Sequence, residues 1–333
     1  MMKKILHIAD TNSIDIPGGI ETVIRNCLHY PPAGYEGEFI NSNKLKSFLL
    51  FGKVIPSKSK IFQVIKENSP DVIHFHGSTP FIWLSIQMIK RLNLKIALTP
   101  FFHKPRYTSK PFLSFLNMIF LKLIISSRVK VHFCSNFERN YFNKTSDNNT
   151  FIFPPFFISN EKLEMNNKQD ILFVGRDDKH KGLFEFIEVS KNFPKQNFVA
   201  VTKPRNKIDH IKNLQIQSNV SDYELDIIYE KTKVLIFPSA YESFGGVFLE
   251  ALSKGCMVIC SNMILGTEFF SKNENLHFYK YSANKTENVK QINCLLDKII
   301  TKKLSFKKYG NDDANRNSIK IIEHINSYNS LYA

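Results

Sequence analysis

Tryptophan occurs once in this chain of 333 residues, and cysteine five times, at 27, 134, 256, 260 and 294. No two cysteines form a CxxC pair, and Cys256 and Cys260, four apart, have no histidine or cysteine cluster beside them. An odd number of unclustered thiols is no disulfide framework, and reduced, mostly buried thiols in a cytosolic protein are the simplest reading. No apolar run is long enough to cross a bilayer: PFLSFLNMIFLKLII at 111–125 is too short, and Ser114, Asn117 and Lys122 interrupt it. MMKKILHIAD opens with two lysines and a run that stops at Asp10, too early for a secretory signal; it reads as a first buried strand. There is no internal repeat, no low-complexity tail and no G-x-G-x-x-G, so a dinucleotide fingerprint is not met.

Acidic residues are also scarce, 30 against 45 lysines and arginines, a formal net charge of +15. Up to residue 165 there are 21 basic and 11 acidic residues, and after it 24 and 19, so the excess is concentrated in the N-terminal half. Such charge attracts nucleic acid, anionic lipid or phosphorylated small molecules, or serves solubility alone. Lys104, Arg106, Lys110, Lys122, Arg128 and Lys130 surround the 111–125 segment, which reads either as an amphipathic helix on an anionic membrane or as a helix packed on the N-terminal sheet. The second reading is preferred, though one helix can do both.

Short apolar runs alternate with helix-length stretches. KILHIA (4–9), DVIHFH (71–76), KIALTP (95–100), VHFCS (131–135), DILFVG (170–175), NFVAVT (197–202), KVLIFPS (233–239) and CMVICS (256–261) read as strands. Helices are expected near 20–28, 80–91, 137–143, 182–192 and 314–331. Strands that are apolar throughout, alternating with helices, indicate α/β structure with parallel sheets covered on both faces. The Pro- and Asn-containing stretch 153–169 divides the pattern into two Rossmann-like domains, 1–165 and 166–313, with the last helix packing back on the first.

Four segments carry candidate chemistry. SAYESFGGVFLEALSKG (239–255) follows a strand; Glu242 falls in the loop, Gly245 and Gly246 permit a tight turn, and the helix that starts there carries Glu250. Such a helix start suits a phosphate, and the two carboxylates can accept hydrogen bonds from sugar or ribose hydroxyls. Two glutamates eight apart would by themselves be ordinary surface residues; the preceding strand, Pro238 and the glycines point to a site. ILFVGRDDKHKGLFEFIE (171–188) places Arg176 and Lys181 between a strand and a helix, where two cations can neutralise a diphosphate. Asp177 and Asp178 stand in that same loop, and no aspartate pair lies in a metal-binding context. DIPGGIETVIRN (15–26) puts Gly18 and Gly19 ahead of a helix, with backbone N–H groups available to an anion. TPFFHKPRY (99–107) places His103 just beyond a strand. His7 reads as core, and His74 and His76 as neighbours on one face of a strand, structural rather than catalytic.

Residues 239–255 resemble the E-x7-E signature of retaining GT-B glycosyltransferases, family 4 (glycosyl transferases group 1) in particular. The resemblance implies two Rossmann-like domains facing each other across a cleft. It implies that Glu242 meets the transferred sugar, that Glu250 holds the nucleotide ribose, and that the backbone around Phe244 and Gly245 touches the sugar or the phosphates. Segment 171–188 is similar to the family's G-R-…-K-G element, in which Arg176 and Lys181 grip the donor diphosphate. Gly18 and Gly19 resemble a Gly-Gly loop across from those phosphates, and His103 occupies the place of a histidine at the reaction centre, here followed by Lys104 where the family often has an acid. The usual Pro-Asn-Gly linker is PPFFISN (154–160), the usual Gly-rich turn is VTKPRNK (201–207), and the late Gly-Gly-x-x-Glu loop is reduced to LGTE (265–268). The resemblance therefore implies an enzyme moving a hexose-type sugar from UDP or GDP to a glycan or lipid-linked acceptor, without metal or other cofactor. Its expected setting is bacterial polysaccharide or lipopolysaccharide synthesis, in the cytoplasm or at the inner membrane face. Alternatives are a nucleotide-sugar epimerase on the same fold and a basic nucleic-acid-binding protein. For the latter no aromatic-basic module or helix-turn-helix signature is present, and no nucleic-acid partner is expected.

Overall fold

Residues 5–9 of KKILHIA and all of VIHFH are buried, so each run forms a strand covered on both faces, its few histidines included. The computed structural model describes residues 2–11, 13–14, 18–50, 53–102, 111–125, 129–142, 149–154, 168–305 and 321–333. The chain forms two compact units, Met1–Ile158 with Ile319–Ala333, and Ser159–Ser318. The expected division at 165 falls outside the described residues, as does the 314–320 part of the last predicted helix.

The first unit begins with β1 (Lys3–Ala9), α1 (Gly19–His29), β2 (Tyr35–Asn41) and the single turn α2 (Ser42–Leu45). An antiparallel hairpin of β3 (Lys46–Leu50) and β4 (Lys53–Pro56) leads to α3 (Lys58–Asn68). Then come β5 (Val72–His76), α4 (Pro80–Ile89), β6 (Lys95–Thr99), α5 (Pro111–Ile125), β7 (Val129–Phe133), α6 (Asn136–Tyr141) and β8 (Thr150–Ile152). The sheet is parallel, in the order β2-β1-β5-β6-β7-β8. One core joins Leu6, Ile73, Phe75 and Leu98 of its strands to Ile82 and Ile86 of α4 and Leu121 and Ile124 of α5.

The second unit runs β9 (Asp170–Val174), α7 (Leu183–Asn192), β10 (Phe198–Val201), β11 (Leu214–Gln217), α8 (Asp222–Lys231) and β12 (Thr232–Phe237). It continues with α9 (Gly246–Ser253), β13 (Met257–Ser261), a 3-10 turn at Leu265–Phe270, β14 (Leu276–Tyr279) and α10 (Lys285–Ile300). Its parallel sheet has the order β11-β10-β9-β12-β13-β14. Phe173, Phe186, Phe198, Ile236, Ile259 and Ile292 form its core.

The last helix, α11 (Ile321–Tyr332), belongs to the first unit. Tyr332 Oη lies 2.8 Å from His74 Nδ1, and the other His74 nitrogen lies 2.8 Å from Thr99 Oγ1. Thr99 also meets His132 Nδ1 at 3.0 Å, while His132 Nε2 donates to the Phe153 carbonyl at 2.7 Å. This chain of polar contacts crosses β5, β6 and β7 and ties α11 to the sheet, satisfying groups that burial would otherwise penalise by about 1–3 kcal/mol each.

Candidate functional site

In the second unit β9 and β12 are sheet neighbours, but the chain leaves them in opposite directions, toward β10 and toward β13. The strand order reverses there, and in open α/β sheets such a switch point is where ligands bind, beyond the strands' carboxyl ends. Two loops line it, 175–182 after β9 and 238–245 after β12. They are stitched together by Ala240 N donating to the His180 carbonyl at 2.7 Å. Gly182 has φ 81°, and a Cβ at that position would stand 2.6 Å from the Pro238 carbonyl oxygen, so only glycine permits both the backbone and the approach.

Lys181 Nζ donates to Glu242 Oε1 at 2.5 Å, with side chains 16% and 8% exposed. The Glu242 backbone is held by a third loop: its N–H donates to the Met263 carbonyl at 3.3 Å, and its carbonyl accepts from Leu265 N–H at 3.1 Å. Segment 263–265, adjoining the LGTE remnant, thus positions Glu242. Beside this pair stand the first turns of α7 and α9. Their N-cap residues, Gly182 and Gly245 (φ 90°), are both left-handed, and neither helix has a side-chain cap. Two helix starts with uncapped N–H groups and a lysine create a locus of positive potential in which a diphosphate would be stabilised.

Arg176 sits on the same loop, its side chain 80% exposed and its Nε 3.3 Å from Asp178 Oδ2. Arg205 pairs with the same carboxylate, and its backbone N–H donates to Asp177 Oδ2 at 2.8 Å. The two aspartates, unexpected in a loop that needs positive charge, therefore fasten the loop after β10 and bring a second arginine to Arg176. His180, between these groups, has its pKa lowered, first by burial and then by the Lys181 charge.

Phe244 is buried, its ring tilted toward Phe248 at 6.1 Å, so it offers a ligand its backbone rather than its side chain. Glu250, on α9, accepts a hydrogen bond from Tyr229 Oη at 2.9 Å. Burial and the nearby Glu250 carboxylate hold the Tyr229 hydroxyl pKa well up, keeping it a donor. A carboxylate has about four lone-pair sites, so one phenol does not exhaust Glu250.

Gly18 and Gly19 start α1 in the first unit, and Thr11 Oγ1 donates to Glu21 Oε1 of that helix's first turn at 2.9 Å. His103 lies outside the described residues. Phe102 before it is fixed: its N–H donates to Glu138 Oε1 at 2.7 Å, and Cys134 N–H donates to Oε2 at 2.8 Å. Phe101 has left-handed backbone, φ 45°.

Among the described residues, one trio has nitrogens spaced for a metal ion, His7, His74 and His76, within 4.8 Å of one another. They lie in the first unit's core. His7 Nδ1 and His76 Nε2 are hydrogen-bonded to each other at 2.9 Å, and both His74 nitrogens are engaged by Tyr332 and Thr99. Burial holds His7 down to about 3 and His132 to about 4, so these imidazoles are neutral at pH 7.

Residues 156–313 match the family model described as glycosyl transferases group 1. A Klebsiella pneumoniae protein described as an uncharacterized 41.2 kDa protein in cps region is 28% identical over 294 residues, 78% of this chain and 81% of that protein. Among solved structures, sucrose-phosphate synthase from Thermosynechococcus elongatus has a TM-score of 0.75 at 15% identity, covering 99% of each chain. WaaG, a glycosyltransferase involved in lipopolysaccharide biosynthesis, has a TM-score of 0.69 at 14% identity, again over 99% of each chain.

Two parallel six-stranded α/β units with these neighbours define the GT-B class. The match to the glycosyl transferases group 1 falls on residues 156–313, and together with these neighbours it supports a glycosyltransferase enzyme.

Proposed function

We propose that the enzyme transfers a hexose-type sugar from a UDP- or GDP-linked donor to a saccharide or lipid-linked acceptor, with retention of anomeric configuration and without a metal ion. The setting is assembly of a surface polysaccharide or lipopolysaccharide, the process named for WaaG. One observation carries the reading: a lysine–glutamate pair at 2.5 Å, set beside two uncapped helix N-termini at the sheet's switch point.

Each group then has a task. Lys181, Arg176 and the α9 N-terminus neutralise the diphosphate as it departs, where a preorganised donor is worth about 3–4 kcal/mol. Lys181 exchanges part of its contact with Glu242 for phosphate oxygens, which turns the glutamate toward the sugar hydroxyls. Glu250, braced by Tyr229, receives the ribose hydroxyls. Glu242 positions the sugar and is not a nucleophile; the leaving phosphate takes the acceptor proton on the face it vacates. Gly18, Gly19 and His103 of the first unit serve the phosphates and the reaction centre.

A thermal-shift screen of nucleoside diphosphates and their sugars, run with and without EDTA, tests this directly. A ligand at 100 times its Kd adds about 2.7 kcal/mol of stability. UDP or GDP, with the matching sugar, should raise Tm in EDTA as much as in magnesium. Nucleotide release should then depend on acceptor, and NMR of the product should show the donor's anomeric configuration. A donor sugar altered with no acceptor present would replace this reading with an epimerase.

A further inference from the structure

Helix α5 faces two environments. Leu121 and Ile124 are buried in the first unit's core, and Phe120 stacks on Trp83 with centroids 4.0 Å apart. On the other side Phe112, Phe115, Ile119 and Leu123 are 74%, 46%, 38% and 59% exposed. Their spacing of three, four and four residues puts them within an arc of roughly 80° on a helix turning about 100° per residue. Four large apolar side chains in one solvent-facing stripe are not scattered surface residues, and burying such a side chain is favourable by about 1.5–3 kcal/mol.

The charge around this stripe selects what covers it. Lys122 is exposed at its edge, and Arg91 is exposed just beyond α4, the helix that packs on α5. Over residues 42–125 the sequence has thirteen lysines and arginines and two acids, Glu67 and Asp71. A second copy of so basic a face would be repelled, whereas an anionic surface with an apolar interior matches both features. At about 1.5 Å per residue the fifteen residues of α5 extend about 22 Å, short of a membrane span but suited to lying in the headgroup plane.

We propose that Phe112, Phe115, Ile119 and Leu123, with Lys122 beside them, form a surface that docks the first unit on an anionic phospholipid bilayer. The apolar side chains enter the acyl boundary while the basic residues meet lipid phosphates. This docking is independent of the catalytic chemistry, since none of its residues is among those assigned to the transfer.

The test is co-sedimentation of the full chain with phosphatidylglycerol vesicles, with phosphatidylcholine vesicles as control. The protein should pellet with the anionic vesicles at low salt and be released at about 1 M salt, where the screening length is about 3 Å. Phe112→Ser with Leu123→Ser, both at exposed positions, should weaken binding roughly tenfold or more with Tm unchanged. Lys122→Glu should weaken it more at low salt than at high. Glu242→Gln should sediment like the parent while losing transfer, which separates membrane docking from catalysis. No sedimentation with anionic vesicles, equal binding to both lipids, or a dimer that the double substitution dissociates would overturn the proposal.

Discussion

Lys181 and Glu242 are 61 positions apart in the chain and 2.5 Å apart in space, because β9 and β12 are neighbours whose following loops meet beyond the same, carboxyl, ends of the two strands. Glu242→Gln keeps the size of the side chain and an acceptor for Lys181 but removes the charge that would orient a sugar. Steady-state kinetics should show kcat down by roughly 100-fold, with nucleoside diphosphate affinity within a few-fold of the parent. A variant with full kcat would remove Glu242 from the reaction.

Arg176 is mostly solvent-exposed and paired only loosely to Asp178. Arg176→Ala should therefore leave Tm within about 1 °C of the parent, as surface changes usually do. If it grips the diphosphate, losing a charge-assisted hydrogen bond costs about 1.5–3 kcal/mol, roughly 10- to 100-fold in nucleotide affinity by calorimetry. Unchanged affinity would assign the anion to Lys181 and the helix starts alone.

Gly182→Ala meets two obstacles, a left-handed backbone at φ 81° and the Pro238 carbonyl 2.6 Å from the added methyl. Chemical denaturation should show a loss of about 1–3 kcal/mol. Donor affinity should fall with it, since the Ala240–His180 stitch at 2.7 Å depends on this approach. Parent-like stability would mean that the two loops part without cost.

Acid should loosen the first unit. An imidazole titrates near 6.5 when unfolded, but burial lowers His7 to about 3 and His132 to about 4. Burial, then neighbouring histidines, also holds His74 and His76 well below 6.5. Between pH 6.5 and 4 the unfolded chain binds protons that the native state does not, so stability is full above that window and falls within it. Each histidine contributes up to about 1.4 kcal/mol per pH unit. Glu138 works the other way: burial raises it from 4.5 to about 7 against two backbone N–H bonds, so its contribution declines as pH rises through that range. Four histidines outweigh one glutamate, so Tm should hold between about pH 7.5 and 6.5 and fall from there to about pH 4.5. A flat profile would contradict the neutral, buried state of these rings.

Strands buried on both faces are readable from apolar runs alone. β1, β5, β6, β7, β9, β10, β12 and β13 all coincide with such runs to within a few residues. β2, β8, β11 and β14, which are the four sheet edges, do not announce themselves in this way. An edge strand pairs on one side only, so YEGEFIN and LQIQ can carry polar residues and show no continuous run. The hairpin of β3 and β4 is hidden for a related reason, with Phe48 and Leu49 in solvent. At the site, the Glu and Lys motifs stand out because glycines and strand ends frame them. Tyr229 beneath Glu250, Arg205 on Asp178 and the 263–265 support of Glu242 leave no local signal, because each joins segments more than 20 positions apart. For α5 the preferred expectation holds, since Leu121 and Ile124 are buried in the first unit's core, while its other side faces solvent.

The return of α11 to the first unit orders events at the ribosome. Everything Ser159–Ser318 needs is contiguous and emerges before Tyr328, Leu331 and Tyr332, which are buried in the first unit. The half that is synthesised first is thus completed last, and until then the histidine-lined side of its sheet waits for its cover.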